Sequence, residues 1–224
     1  MARIARLVVP GRPHHVTQRG VRRMEVFRKD GDYAAYLALI SQSCKKAGTE
    51  VWAYCLMPNH VHLIMVPADE DGLRAALGEA HRQYTRRINF REGCRGHLWQ
   101  ERFHSFPMDE TYLTACVRYV ELNPVRAGLV KRPEDWTWSS ARAHLCGKND
   151  EVVTVEPMLS RISDWATFLE GGVREAELER LHLHTRTGRP LGDDDWVRGL
   201  EKQTGRSLRA KPVGRPKKGR KNKK

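Results

Sequence analysis

The segment Pro58-Asn59-His60-Val61-His62-Leu63-Ile64-Met65-Val66 constrains this chain more than any other. After the Pro-Asn turn, every residue except the two histidines is apolar, and the β-branched content favours a buried strand. Side chains on a strand alternate between faces, so His60 and His62 point one way while Val61 and Leu63 point the other. Two imidazoles side by side on one sheet face make half of a metal site. A lone His-x-His on a strand is more often structural, so the remaining elements decide what the pair is for.

Those elements follow a recognisable order. His15 to Arg19 reads as a strand ending at Gly20. Asp30 or Asp32 can cap a helix carrying Tyr33, Tyr36, Leu37, Ile40 and Cys44 at helical spacing, stopped by Gly48. Val51 to Met57 is a second strand, paired as a hairpin with a third over His60 to Val66. Leu73 to about Phe90 is a basic helix, and Leu98 to Met108 a fourth strand. Asp109 caps a helix through Asn123, which Pro124 ends. Strand, helix, strand, strand, helix, strand is the split βαβ order of a ferredoxin-like α+β fold: an antiparallel sheet with helices on one face and the other left free for a partner. Beyond Leu129 the pattern weakens. Helices are expected over Trp136 to Leu145, within 160–185 and over Asp193 to Gln203, giving a catalytic unit over 1–147, a helical C-terminal extension over 148–204 and a basic, disordered tail over 205–224.

The formal net charge is +13, but residues 205–224 hold ten Lys or Arg and no Asp or Glu, leaving only +3 for the rest. Such a tail seeks a polyanion. No apolar run approaches the roughly 20 residues that span a bilayer, and the short apolar stretch behind Met1 is too brief for a signal-peptide core. The expectation is a soluble cytoplasmic protein with no membrane association. Five cysteines without a Cys-x-x-Cys pair argue against both a disulfide framework and a cysteine zinc module.

The helix before Pro124 carries the second half of the chemistry. Tyr119 and Asn123 are four apart and share a helix face. If that face meets the sheet beside His60 and His62, the site gains an amide oxygen and a phenol. A covalent route through a phosphodiester needs a nucleophile, a Lewis acid on the non-bridging oxygens and groups that orient the strand. Three neutral ligands would leave a divalent cation its full charge. Imidazole by itself points to zinc, iron or copper rather than magnesium. Tyr84 and Tyr112 compete for the nucleophile's role. Tyr84 lies among the arginines of the basic helix, and Tyr112 has Cys116, a poor magnesium ligand, as its neighbour four residues on.

Tyr54-Cys55-Leu56-Met57-Pro58-Asn59-His60-Val61-His62-Leu63 resembles the motif region of the HUH single-strand DNA endonucleases. Tyr119-Val120-Glu121-Leu122-Asn123-Pro124-Val125-Arg126-Ala127-Gly128-Leu129-Val130 resembles the tyrosine helix of the single-tyrosine transposases. With His15-Val16-Thr17-Gln18-Arg19-Gly20, Gly96 to Phe103 and Trp136-Thr137-Trp138-Ser139-Ser140, the likeness extends over about 10–145 and is closest to the REP-associated tyrosine transposases. The resemblance implies a ferredoxin-like fold, Mg²⁺ or Mn²⁺ as cofactor, His60, His62 and Asn123 as its ligands, and Tyr119 as nucleophile on single-stranded DNA. It implies a 5′-phosphotyrosine intermediate, DNA hairpins of the REP type as substrate, a bacterial, nucleoid-associated setting, and a monomer without an obligate protein partner (the insertion-sequence relatives being dimers).

For DNA, the candidate contacts are Arg12, Arg19, Arg22 and Arg23 around the first strand, and Arg82, Arg86 and Arg87 on the basic helix. Phosphate contacts of this kind give salt-sensitive affinity. Arg215, in the Gly-Arg-Pro core of an AT-hook-like segment, is a candidate for a narrow minor groove. Two other functions use the same residues: a hairpin-binding protein derived from a transposase that does not cut, and a metallohydrolase in which Tyr119 is scaffold.

Overall fold

The structure is a computed structural model that describes residues 4–210. Four strands, β1 (His14–Arg19), β2 (Thr49–Met57), β3 (His60–Pro67) and β4 (His104–Pro107), form one sheet in the order β2-β3-β1-β4. Every neighbouring pair is antiparallel. This is the ferredoxin-like arrangement expected from the order of elements. Helices α1 (Asp30–Lys46) and α2 (Gly72–Arg91) make the two crossovers. They cover one face, where Tyr36, Ile40, Leu73, Leu77 and Tyr84 pack on Val16, Val61, Leu63 and Met65. Fully burying side chains of this size contributes about 1.5–3 kcal/mol each.

A register shift between Val51 and Ala53 places one extra residue, Trp52, in β2. It reverses the strand's parity, so Val51 joins Tyr54 and Leu56 on the first face while Ala53, Cys55 and Met57 take the second.

The second face, expected to be left free, is covered. Helix α3 (Glu110–Glu121) lays Leu113, Cys116, Val117 and Val120 on Ala53, Cys55, Ile64 and Phe106. Asp109 caps α3 as its sequence predicts, accepting from the Tyr112 amide at 2.9 Å. Pro124 does not end the helical path. It sits in the first turn of a further short helix, α4 (Asn123–Arg126), where a missing N–H costs nothing.

The segment 136–140 is a turn and a single bridge to β2 rather than a helix. It runs beside β2, with Leu56 N donating to Trp138 O at 2.8 Å and Ser140 N to Tyr54 O at 3.0 Å. Only then does α5 (Ala141–Cys146) begin. The fourth strand is likewise shorter than expected. Glu101 has a left-handed φ of 59° and breaks the path between Trp99, which bridges Gly20, and β4.

The remaining helices are α6 (Glu156–Leu159), α7 (Trp165–Glu170), α8 (Glu175–Thr187) and α9 (Asp194–Thr204). Gly171 and Gly172 separate α7 from α8, and both helices join the second-face core through Trp165, Leu169, Leu178 and Leu181. Leu208 packs with Leu7, Val9, Val197 and Leu200. Arg215 lies outside the described residues. No described helix is long and apolar enough to cross a membrane.

Candidate active site

The alternation of β3 places His60 and His62 on the second face, and the pairing with β1 sets Arg19 opposite His60 and Thr17 opposite His62. These residues line a cleft of about 240 Å³ together with Tyr119, Gln100, Glu101, His104, His182 and Arg186. The two imidazole centroids are 4.9 Å apart, with ring planes at 78°. The Tyr119 ring meets His62 edge-on, centroids 5.3 Å apart. Of the four residues predicted to form the site, His60, His62 and Tyr119 line the cleft. Asn123, one turn beyond Tyr119, neighbours the phenol without lining the cleft, and its Nδ2 is buried without a hydrogen-bond partner.

Burial sets the protonation of the site. It pushes the His60 imidazole down to about 4, helped by the Arg19 charge. His62 lies well below the usual range, through burial and then the neighbouring His60, His15 and Arg19. Both rings are neutral at pH 7, the form that ligates metals. Burial raises the Tyr119 hydroxyl, opposed by the neighbouring Asn123 amide and by the charges of Arg126 and Arg19. The Arg126 guanidinium lies 5.3 Å from the Tyr119 ring centroid.

Among the described residues, no three His, Cys, Asp or Glu side chains are grouped to hold a metal ion. The two imidazoles still fit one. His62 Nε2 is buried without a protein partner, an atom that a cation or water has to satisfy.

The rival tyrosines lie elsewhere. Tyr84 is fully buried and donates to Val26 O at 2.6 Å. Tyr112 pairs with Arg180. Of the candidate DNA residues, Arg19 lines the cleft. Arg22 and Arg23 follow in an exposed turn, both at left-handed φ (51° and 62°). Arg12 is exposed but precedes the opposite end of β1. Arg82, Arg86 and Arg87 line a groove on α2, where Arg82 also pairs with Glu79 at 2.7 Å.

Several residues were not marked by the sequence. Phe90, 90% exposed, sits in the arginine groove of α2. His182 arrives from α8, its ring centroid 6.1 Å from that of Tyr119. No spacing rule could connect it to a site more than 60 positions away. His15 and Asn59 stood within quoted motifs, and their contacts with His62 and His60 appear only in three dimensions.

A four-stranded ferredoxin-like sheet with a twin-imidazole central strand and a tyrosine helix against it defines an HUH-type protein. The family described as "Transposase IS200 like" matches residues 12–123, half of the chain and all four strands. The chain therefore belongs to the IS200-like, REP-associated single-tyrosine transposase family of that superfamily.

A relative from Haemophilus influenzae is 29% identical over 110 residues, covering 44% of this chain and 62% of its own. The REP-associated tyrosine transposase of Escherichia coli K12 is 30% identical over 94 residues, covering 41% and 53%. The chain thus spans roughly half to three-fifths of the length of the curated relatives it matches. A solved REP-associated tyrosine transposase, bound to a REP hairpin, shares the fold with a TM-score of 0.57 at 23% identity, over 69% of this chain and 92% of that one.

Proposed function

We propose that this chain is a metal-dependent single-stranded DNA endonuclease and strand transferase acting on palindromic, REP-like hairpins. The observation that carries the proposal is the edge-on approach of Tyr119 to His62 in a cleft shared with His60 and Arg19. Family membership and the REP-hairpin complex of a relative with this fold support the substrate class.

In this reading His60, His62 and Asn123 would hold Mg²⁺ or Mn²⁺. The ion, when bound, neutralises the scissile phosphate and polarises its non-bridging oxygens. Arg19 steers the phosphate to the cleft. The Tyr119 oxygen loses its proton and bonds to phosphorus as the bond to the 3′ oxygen breaks. That oxygen leaves as a 3′-OH after gaining a proton, and the DNA 5′ phosphate remains on the tyrosine. The reverse attack by a 3′-OH rejoins or exchanges strands. Away from the cleft, Arg86 and Arg87 bind phosphates, and the exposed Phe90 ring among them suits a stacked, unpaired base.

The test is incubation of a labelled hairpin bearing single-stranded flanks with the protein and Mn²⁺. An adduct that survives SDS and is lost in Tyr119→Phe supports the proposal. Binding without cleavage supports a hairpin-holding protein instead, and cleavage indifferent to Tyr119→Phe supports a metal-activated water.

A further inference from the structure

We propose that Asn59 and His15 are positioning residues for the imidazole pair: Asn59 fixes the ring tautomer of His60, and His15 supplies the acceptor that lets His62 present Nε2 as a lone pair to the cleft. The inference rests on the metal reading proposed above.

Asn59 carries the clearer half. Its Nδ2 donates to Arg23 O at 3.1 Å, and its Oδ1 lies 2.6 Å from His60 Nδ1. Turning the amide over would set two acceptors, Oδ1 and Arg23 O, against each other, so the orientation is decided by its neighbours. A carbonyl oxygen only accepts, hence His60 Nδ1 must carry the hydrogen. A neutral imidazole has one ring hydrogen, so Nε2 is left as the lone pair. The backbone of Asn59 is held as well, its carbonyl accepting from Gly20 N at 2.8 Å. Gly20 also lets the following turn fold back on it: a Cβ there would stand 2.2 Å from Met24 O. One residue thereby ties the left-handed turn of Arg22 and Arg23 to the first imidazole of the pair.

His15 holds the ring of His62 without deciding its tautomer alone. Its Nε2 lies 2.9 Å from His62 Nδ1, and the two rings are within 3° of parallel. Both are buried. One hydrogen lies between these nitrogens. On His62 Nδ1 it leaves His62 Nε2 free to ligate. On His15 Nε2 it forces a hydrogen onto His62 Nε2 and blocks that role. A cation in the cleft therefore selects the first arrangement, with His15 as acceptor. Ligating histidines commonly have their second nitrogen held this way, and losing the holder lowers metal affinity about 10- to 100-fold.

Two measurements on the full-length protein test this. Two-bond ¹H–¹⁵N spectra of the metal-free protein report which nitrogen of each ring bears hydrogen. Free Mn²⁺ followed by EPR, without DNA, reports affinity independently of cleavage. His60 is expected as Nδ1–H in the wild type. Asn59→Leu should lose that form and weaken Mn²⁺ binding by about 10- to 100-fold. Asn59→Asp, which keeps an acceptor oxygen, should retain both. His15→Phe should weaken Mn²⁺ comparably while leaving the His60 tautomer unchanged. His60 found as Nε2–H in the wild type overturns the inference whether or not any variant folds. So does a folded Asn59→Leu with the wild-type tautomer and Mn²⁺ affinity. Nδ1–H on His60 together with no Mn²⁺ binding supports the ring orientation and overturns the metal reading instead.

Discussion

His62 and Tyr119 meet edge to face, 5.3 Å between ring centroids and 88° between planes. One ring comes from the central strand β3 and the other from α3, which reaches the sheet after the whole βαββαβ unit is complete. Burial keeps the phenol protonated at neutral pH, so the reaction needs that proton removed, and the Arg126 guanidinium favours its loss. Arg126→Gln should therefore move the pH–rate curve of single-turnover adduct formation to higher pH, with little change in hairpin affinity. A curve that stays in place would remove Arg126 from the account.

Acid should destabilise the fold before carboxylates titrate. Burial lowers His81 from 6.5 to about 3. Burial also lowers His14 to about 4, against a hydrogen bond to Arg12 O that raises it. The unfolded chain takes up these protons near 6.5 and the folded chain does not. Stability is complete above about pH 6.5 and declines as pH falls toward the folded values. Urea unfolding between pH 7 and pH 4 should show this decline, with a shallower slope in His81→Gln. An unchanged slope in that variant would mean its burial does not set the dependence.

Glu121 should be among the most sensitive positions for stability. Its carboxyl group, fully buried two residues after Tyr119, accepts from Ser140 Oγ at 2.5 Å and from Trp165 Nε1 at 2.8 Å, and pairs with His144 Nδ1 at 2.6 Å. It thus locks α3 to α5 and α7. Glu121→Ala strands His144 Nδ1 and Trp165 Nε1, while Ser140 Oγ keeps its bonds to the Tyr54 backbone, and should cost about 3–5 kcal/mol in chemical denaturation. A loss under about 1 kcal/mol would show that the network does not anchor the tyrosine helix.

The α2 groove predicts two separable effects. Arg86→Ala and Arg87→Ala should each reduce the slope of log affinity against log salt by about 1, measured by fluorescence anisotropy on a hairpin. Phe90→Ala should cost about 1–3 kcal/mol on hairpins with unpaired bases and nothing on a blunt duplex stem. Equal losses on both substrates would argue against stacking.

Much of this was readable from residues. The His-x-His strand, the hairpin before it, the Asp109 cap and the four-residue spacing of Tyr119 and Asn123 are local signals, and local chemistry decides them. The segment 136–140 misleads because Asp135 stands where an N-cap would precede a helix. Tertiary hydrogen bonds to Leu56 and Tyr54 hold it against β2 instead. Pro124 reads as a stop, yet a proline stops only the helix that precedes it and suits the first turn of the next. The closing of the second face by α3, α7 and α8, and the arrival of His182 with it, depend on contacts between distant segments that no periodicity records.

The most direct test of the covalent reading is to locate the DNA on the protein. The SDS-resistant adduct formed with Mn²⁺ and a hairpin substrate would be digested with nuclease and trypsin and analysed by tandem mass spectrometry. The account predicts a nucleotide phosphate on the peptide beginning at Tyr119 and ending at Arg126, attached to the tyrosine. A phosphate on Tyr112 or Tyr84, or cleavage without any nucleotide-bearing peptide, would contradict it.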